Sequence, residues 1–472
     1  MKSIFKKLSY SVSANILSAI SSVIVVIVLP KVMTMEDYGF WQLFMFYFSY
    51  VGFFHFGWID GIYLRYGGQY YNELNKTVFS GQILLLLLFL ISESILLNII
   101  LFCGFINDSN LLYIIRVASV AGIFVNIKTL CDFLLQMTDR IREYARNVML
   151  ERILNVFLIV CFTILSQVNY RQIVYIQLIV SITMSIFSLY VIRDIVLEKA
   201  CDFKDTIREA IVNIGVGSKL MLSNIAGMLI LGIIRYGISR GWDVVTFGKV
   251  SLSLQISNFL MVFISAVSVV LFPILKRTDE DRLAEIYTTL RRILSYSLLG
   301  LLVSYYPIRL ILVNWLPKYV DSLVYMGYLL PICIFESKIQ MLVNTYLKSL
   351  RQEVMMLKIN ALSVCFALIT TYYSIVVLHN LKLVIICILL NFAFRLFISE
   401  CYIEKILKIE LQAERYSELI VVISFVVINY LEIRNAFFLY LIVYGLYILA
   451  NKKNIASIIN HLRKKVKFPC EE

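Results

Sequence analysis

Residues 78–105 read VFSGQILLLLLFLISESILLNIILFCGF, an apolar run with one charged residue, Glu93. As a helix rising about 1.5 Å per residue, it is long enough to cross the roughly 30 Å hydrocarbon core of a bilayer. The whole chain has this character: 60% of its 472 residues are apolar, 16% are charged, and the mean hydropathy is +0.82. Globular domains contain about 45–50% apolar and about 25% charged residues. The composition therefore excludes a soluble enzyme and requires the bilayer as solvent.

Apolar segments of helical length recur along the rest of the sequence. We predict fourteen transmembrane helices, at about 10–32, 40–63, 78–105, 111–136, 148–166, 171–193, 216–238, 246–275, 291–316, 322–347, 356–378, 381–403, 416–432 and 435–451. The fifth and the last two are short, which leaves counts of twelve or thirteen open. The first run is too long for a signal-peptide core and no A-x-A site follows it, so we interpret it as a retained helix.

The distribution of Lys and Arg tests this map, because each span must reverse the side on which basic residues collect. With a cytoplasmic amino terminus, 30 of the 44 Lys and Arg fall in predicted cytoplasmic segments, six in outer loops and eight inside spans. The sequence therefore predicts a multi-pass protein of the inner (plasma) membrane with both termini cytoplasmic. Most of the net charge of +13 orients the helices and says little about partners.

The longest predicted connection is cytoplasmic and lies halfway along the chain. We predict an N-terminal six-helix lobe, a cytoplasmic linker, a C-terminal six-helix lobe, and two extra helices with a basic tail, at 1–193, 194–214, 215–404 and 405–472. Apolar residues recur at helical spacing in the linker, at Phe203, Ile207, Ile211 and Ile214. This spacing favours an amphipathic helix at the membrane interface over a solvated linker.

The two lobes are predicted to be parallel repeats. Leu17-Ser18 of the first span matches Leu222-Ser223 of the seventh, and Tyr38-Gly39 matches Phe247-Gly248. Transporter folds built from repeats carry such weak internal similarity. Both copies begin on the predicted cytoplasmic side, so the axis that relates them runs along the membrane normal.

Eight basic residues lie inside predicted spans: Arg116, Lys128, Lys219, Arg235, Lys249, Arg309, Lys338 and Arg395. A charge at the bilayer centre costs at least about 2.5–3.5 kcal/mol, so it must face protein, a partner or a water-filled cavity. Lys219, Arg235 and Lys249 lie near span ends and can snorkel. For Lys128, an internal ion pair with Asp132 at i, i+4 is an open alternative.

Polar residues also recur at helical spacing and predict wet helix faces. They form four stripes: Ser11, Asn15, Ser18 and Ser22; Lys249, Ser253 and Ser257; Glu336, Gln340, Asn344 and Lys348; and Asn391, Arg395 and Ser399. Stripes that contain a central charge favour cavity lining. Close helix packing explains the Ser-rich first stripe equally well.

Basic residues outnumber acidic ones at depth, which predicts a cationic cavity that attracts anions such as pyrophosphate or acidic sugars. The candidate substrate contacts are Lys219, Arg235, Lys249, Lys338, Arg395, Lys128, Arg116 and Asn344. The candidate residues for coupling to an H⁺ or Na⁺ gradient are Glu93, Glu336 and Asp60.

Enzyme signatures are missing from the sequence. It contains no P-loop motif and no HExxH, and its nine cysteines follow no metal-ligand spacing. The predicted outer loops are too short to fold into a catalytic domain. We therefore expect no enzymatic activity, no metal and no cofactor. The basic tail, with Arg463, Lys464, Lys465 and Lys467, is expected to lie on anionic lipid and not on nucleic acid.

Three segments carry a family resemblance: Leu29-Pro30-Lys31, then Glu36-Asp37-Tyr38-Gly39-Phe40-Trp41, then Gly57 with Gly61. This pattern resembles the start of the Wzx-type O-antigen and capsule flippases of the multidrug/oligosaccharidyl-lipid/polysaccharide (MOP) exporter superfamily. The resemblance implies a MATE-like fold with a V-shaped central cavity. It also implies transport of an undecaprenyl-pyrophosphate-linked oligosaccharide by alternating access, with contacts to polysaccharide assembly proteins.

The sequence departs from the lipid II branch of that superfamily, whose first helix carries several arginines. The first span here has only Ser and Asn, which argues against a peptidoglycan precursor as substrate. Two alternatives remain open: a MATE-like cation or drug antiporter, which would have a more acidic or aromatic cavity, and a membrane polysaccharide polymerase or transferase.

Overall fold

The computed structural model describes residues 2–104, 106–165, 168–258, 280–350, 352–452 and 454–456. All regular structure in these residues is helical. The chain divides into two compact units, Met1–Leu252 and Ser253–Glu472.

In its described residues, the first unit contains nine helices and the start of a tenth. They are α1 (Lys2–Val32), α2 (Met35–Val51), α3 (Trp58–Tyr66), α4 (Lys76–Phe102), α5 (Ser109–Met137), α6 (Ile141–Leu165), α7 (Tyr170–Val191), α8 (Arg193–Val196), α9 (Phe203–Gly241) and α10 (244–258, as far as described). Leu252 lies within α10. Helix α9 is continuous, so the second half of the predicted linker and the predicted seventh span form one helix. The lobe boundaries and the repeat predicted from the sequence stay predictions.

A close approach between α3 and α9 organises the first unit. A Cβ atom added to Gly61 would lie 1.8 Å from the carbonyl oxygen of Asn213, and one added to Gly217 would lie 2.0 Å from that of Gly57. Gly57 has a φ of +85°, which only glycine adopts easily, and it ends the break between α2 and α3. The glycines therefore let two helix backbones touch.

Buried hydrogen bonds reinforce this junction. The amide of Gln82 in α4 accepts from Trp58 Nε1 at 2.7 Å and donates to the Thr206 carbonyl at 2.8 Å. Asn213 Nδ2 also donates to Gln82, at 3.3 Å. Because a buried amide is costly to leave unpaired, this set of bonds fixes how α3, α4 and α9 fit together. On the other side of α9, Phe203 and Ile211 are exposed apolar side chains. That they lie at the membrane interface stays a prediction.

The second unit contains nine further helices in its described part. They are α11 (Glu280–Leu301), α12 (Tyr305–Trp315), α13 (Val320–Leu329), α14 (Ile332–Ser337), α15 (Asn344–Ser349), α16 (Glu353–Tyr372), α17 (Leu381–Leu407), α18 (Gln412–Tyr430) and α19 (Ala436–Ala450). Two segments of its described part are π-helical: Lys338–Val343, between α14 and α15, and Tyr373–Val377, which follows α16. Helix α19 is fastened to α11, since Tyr440 Oη donates to the Leu299 carbonyl at 2.7 Å.

Eight described helices are long and apolar enough to cross a membrane, and the pair Pro317–Leu329 and Ile332–Ser349, bent by 48°, counts as a ninth. Shorter apolar helices, Ile16–Val32 and Ala436–Ala450, add to these. Each of the fourteen predicted spans coincides with described helical residues, although the second, ninth and tenth are interrupted and residues 259–275 of the eighth lie outside the described part. The predicted all-helical, multi-pass membrane architecture is confirmed.

Candidate functional site

Arg235 is a predicted substrate contact that lies among aromatic side chains. Its Nη2 donates to Ser251 Oγ at 3.1 Å, and its guanidinium lies 5.2 Å from the ring centres of both Phe46 and Phe247. Its Nε is buried and has no hydrogen-bond partner among the residues that the structure describes. Among the described residues, Arg235 forms no salt bridge with a carboxylate. Aromatic faces attract a cation without neutralising it, so this site retains positive charge for an anion.

Lys219 lies on the same helix but cannot share a small ligand with Arg235. Sixteen residues of α9 separate them, a rise of about 24 Å. Lys219 is exposed and has no ion pair with any residue that the structure describes. Lys249, on α10, is half-buried and interacts electrostatically with Asp243, while Arg116 on α5 is half-buried.

Lys128 lies in an ionic cluster of the first unit. Its Nζ lies 2.5 Å from Asp132 Oδ2 and 3.0 Å from Glu151 Oε2. The first of these contacts is the i, i+4 ion pair that the sequence left open. Asn147 donates to the other oxygen of Asp132 at 3.2 Å. Two carboxylates therefore surround one ammonium group, which makes Lys128 a poor anion site. Glu151 lies on α6, and no spacing in the sequence connects it with Lys128.

Lys338 is also paired with a carboxylate from a helix distant in the sequence. It is 1% exposed and donates a hydrogen bond to Glu418 of α18. Arg291 lies 2.7 Å from Glu400 and 2.8 Å from Glu418, and Arg415 lies 3.2 Å from Glu400. We call these five residues the buried ionic cluster. It joins α11, the π-helical segment after α14, α17 and α18, and it covers Lys338 completely.

Arg395 is bonded to the polar stripe that contains Glu336 and Asn344, a contact that helical spacing does not predict. Arg395 Nη1 lies 3.3 Å from Glu336 Oε2, and its Nε donates to Asn360 at 3.1 Å. Gln340 donates to Glu336 at 2.7 Å and accepts from Asn344 at 3.3 Å. A substrate candidate and an ion-coupling candidate thus belong to one hydrogen-bonded chain across α14, α15 and α17.

The other ion-coupling candidates are separate from this chain. Glu93 is half-buried on α4, and its Oε2 is buried with no hydrogen-bond partner in the described part of the chain. Asp60, in the first turn of α3, has Oδ2 3.8 Å from Nε2 of His55. In the first stripe, side chains are described for Ser18 and Ser22 only, and Ser22 Oγ donates to the Ser18 carbonyl at 2.8 Å. The basic tail lies outside the described residues.

Within the described part of the chain, no group of three or more His, Cys, Asp or Glu side chains is arranged to hold a metal ion. No family model matches the sequence, and no curated protein matches it.

Solved structures do resemble the chain. The lipid II flippase MurJ, in an inward closed conformation, matches with a TM-score of 0.67 at 14% identity, over 96% of this chain and 100% of that one. An inward-facing multidrug resistance MATE family transporter of the MOP superfamily matches with a TM-score of 0.63 at 13% identity, over 84% and 94%. An outward-facing one matches with a TM-score of 0.55 at 14% identity, over 85% and 96%. The specific resemblance to Wzx-type flippases stays a prediction. The fold is shown: the chain has the all-helical fold that MurJ and the MATE transporters share.

Proposed function

We propose that the chain is a flippase that moves a polyprenyl-pyrophosphate-linked oligosaccharide, such as an O-antigen, capsule or exopolysaccharide repeat unit, across the bacterial inner membrane. The observation that carries this proposal is the likeness to the lipid II flippase, which covers 96% of the chain, whereas the MATE matches cover 84–85%. The part left uncovered is about as long as residues 405–472, the two extra helices and tail. Because the chain shares its fold with a flippase, the fold supports flippase activity. The first helix, which lacks the arginines of the lipid II branch, argues against lipid II itself as substrate.

The charges of the first unit support an anionic headgroup as the transported species. Arg235 and Lys219 have no carboxylate partner among the described residues. In an apolar surrounding, an unmatched cation attracts pyrophosphate far more strongly than it would in water. Because about 24 Å separates them on α9, we assign Lys219 and Arg235 to successive contacts with the pyrophosphate during transfer and not to one shared site. Lys128 and Lys338, which are paired with carboxylates, belong to the scaffold.

In this proposal the polyprenyl tail stays in lipid while alternating access carries the headgroup across. A bound cation or proton biases that motion through a carboxylate, and Glu93, Glu336 and Asp60 are the candidates. Glu336 is the most suitable, because it is bonded to Arg395 and a change in its charge would weaken that ion pair. No step breaks or forms a covalent bond, so the proposed activity is transport and not catalysis.

The test is complementation of a bacterial strain that lacks its own repeat-unit flippase. Lys219→Ala and Arg235→Ala should reduce surface polysaccharide at least about tenfold at normal protein level, since each removes a charge-assisted contact. The matched control is Arg208→Ala, which removes an exposed arginine from the same helix and should leave polysaccharide unchanged.

Two results would decide against the proposal. Full surface polysaccharide in the Lys219→Ala, Arg235→Ala double variant would exclude the assigned contacts. If the wild-type chain gives no polysaccharide but confers resistance to cationic dyes, the MATE-like antiporter becomes the better account.

A further inference from the structure

A cavity of about 550 Å³ opens in the first unit, where the middle of α2, the start of α5 and the turn between α9 and α10 meet. Four aromatic side chains line it: Phe40, Tyr47, Trp242 and Phe247. Its volume falls within the range of about 300–1,000 Å³ that is usual for small-molecule sites, and such sites combine aromatic walls with a few polar groups. The residues already assigned to the pyrophosphate do not line this cavity.

Two aspartates at the mouth are held in place by the backbone. Asp108 Oδ1 accepts from the backbone N–H groups of Asn110 and Leu111, at 2.8 and 3.2 Å, and so caps α5. Asp243 Oδ1 accepts from the N–H of Thr246 at 2.8 Å and caps α10. The side chain of Thr246 also hydrogen-bonds Asp243, so this carboxylate is held twice. The described bonds to Asp108 use Oδ1, and its second oxygen is the acceptor we assign to a ligand.

The aromatic walls are fixed as well. The ring of Phe40 lies 5.0 Å from that of Tyr170, measured between centres. Behind Phe40, a Cβ atom on Gly39 would lie 2.2 Å from the Val244 carbonyl oxygen, so only glycine lets α2 and α10 meet at the cavity. A preorganised wall lowers the cost of binding, because few side chains must be ordered by the ligand.

The polar groups suit a neutral polyol better than an ion. Arg240 lines the same cavity and interacts electrostatically with Asp108. A cationic ligand would meet Arg240, and an anionic ligand would meet Asp108 and Asp243. Hydroxyl groups both donate and accept, so they satisfy carboxylate and guanidinium together. A sugar ring also presents an apolar C–H face, which packs on aromatic rings.

We propose that this cavity binds sugar residues of the transported oligosaccharide. The proposal rests on the proposed function. The Lys and Arg distribution predicts that both loops at the cavity, around residues 106–108 and 242–243, lie on the outer side of the membrane. The cavity would therefore hold the glycan after transfer and would select among glycans. It adjoins one assigned pyrophosphate contact, since the guanidinium of Arg235 lies 5.2 Å from the ring of the lining residue Phe247.

The test measures binding of lipid-free glycans to the purified full-length protein in nanodiscs. The probes are an array of defined bacterial repeat-unit oligosaccharides of one to four sugars. The wild-type protein should bind at least one of them, and Trp242→Ala should weaken that binding about tenfold or more through loss of the stacking surface. Trp242→Phe, which keeps an aromatic ring, should retain most of it. The matched control is Trp315→Ala, a half-exposed tryptophan of the second unit, which should bind as wild type.

Three results overturn the inference: no glycan on the array binds the wild-type protein, Trp242→Ala binds as tightly as wild type, or a cationic dye such as tetraphenylphosphonium displaces the glycan and loses its own binding in Trp242→Ala. Complementation separates this failure from failure of the proposed function. A chain that restores surface polysaccharide but binds no free glycan lacks the sugar site and remains a flippase.

Discussion

Nε of Arg291 lies 2.7 Å from Oε1 of Glu400, and neither side chain has any exposed surface. Arg291 also bonds Glu418 on α18, so a single guanidinium holds together carboxylates from two helices. Removing one partner of a buried ion pair leaves the other charge desolvated and uncompensated. The buried ionic cluster therefore makes α18 a structural part of the second unit and not a loosely attached addition.

We expect Arg291→Met to lower the free energy of unfolding by about 3–5 kcal/mol, because Glu400 and Glu418 would remain buried without their main partner. The measurement is thermal unfolding of the purified protein in detergent. Arg292→Met is the matched control: Arg292 bonds Glu414 at 2.7 Å but is 31% exposed, so its loss should cost about 1 kcal/mol or less. Equal losses for the two variants would show that burial of Arg291 does not matter.

Lys338 should behave as a scaffold residue. We expect Lys338→Met to reduce stability, and the added substitution Glu418→Gln not to restore it, because buried Arg291 also bonds Glu418 and would lose that carboxylate. Surface polysaccharide per molecule of folded protein should stay near the wild-type value in both variants. A normal melting temperature combined with lost transport would instead identify Lys338 as a substrate contact.

Gly61→Ala should prevent normal folding. The new Cβ would lie 1.8 Å from a backbone oxygen of α9, and a backbone atom cannot be moved aside as a flexible side chain can. We expect a loss of about 3 kcal/mol or more, at the upper end of overpacking effects, seen as low yield of monodisperse protein. Gly215→Ala on α9 is the control, since a Cβ there meets no atom within 4 Å. It should be neutral or slightly stabilising.

Asp194 should make the stability of the folded protein depend on pH. Burial acts to raise the pKa of Asp194, but hydrogen bonds from Lys76 and Tyr71, both at 2.8 Å, outweigh it and hold this pKa below its ordinary value of 3.8. Because the folded-state pKa is the lower one, ionised Asp194 stabilises the fold above about pH 4. That contribution is lost as the pH falls through the lowered folded value.

The corresponding experiment compares melting temperatures of wild type and Asp194→Asn from pH 7 to pH 3. The wild type should melt higher at pH 7, and the difference should shrink below about pH 4. Lys76→Met should remove most of the same pH dependence. A difference that grows on acidification would contradict the assigned direction of the pKa change.

Helical spans and short-range pairs could be predicted from the sequence because both depend on local spacing. Hydropathy located the helices, and i, i+4 spacing gave Lys128 with Asp132 and the polar chain from Glu336 to Asn344. Partners from distant helices were missed. Arg291 is the first residue of the predicted ninth span and is not among the eight basic residues placed inside spans, yet the packing of α11, α17 and α18 buries it.

The cavity at Trp242 was missed for a similar reason. Its lining comes from three segments separated by about 60 and 130 residues, and each segment alone reads as an ordinary helix end. An aromatic residue near a span end is common in membrane proteins, so no single position signals a ligand site. The one available sign was Gly39 aligned with Gly248, the two glycines whose backbones meet beside it.

The π-helical segment Lys338–Val343 gives the chain a place that can absorb a change in length. A π turn contains one residue more than the α-helical turn it replaces, so deletion of one residue there can be accommodated by a return to regular α-helix. The helices on either side would keep their faces. The same deletion in the middle of α4 would rotate everything after it by about 100° and turn lipid-facing side chains inward. Alignments with other proteins of this fold should therefore carry a single-residue gap at this segment more readily than within the continuous helices.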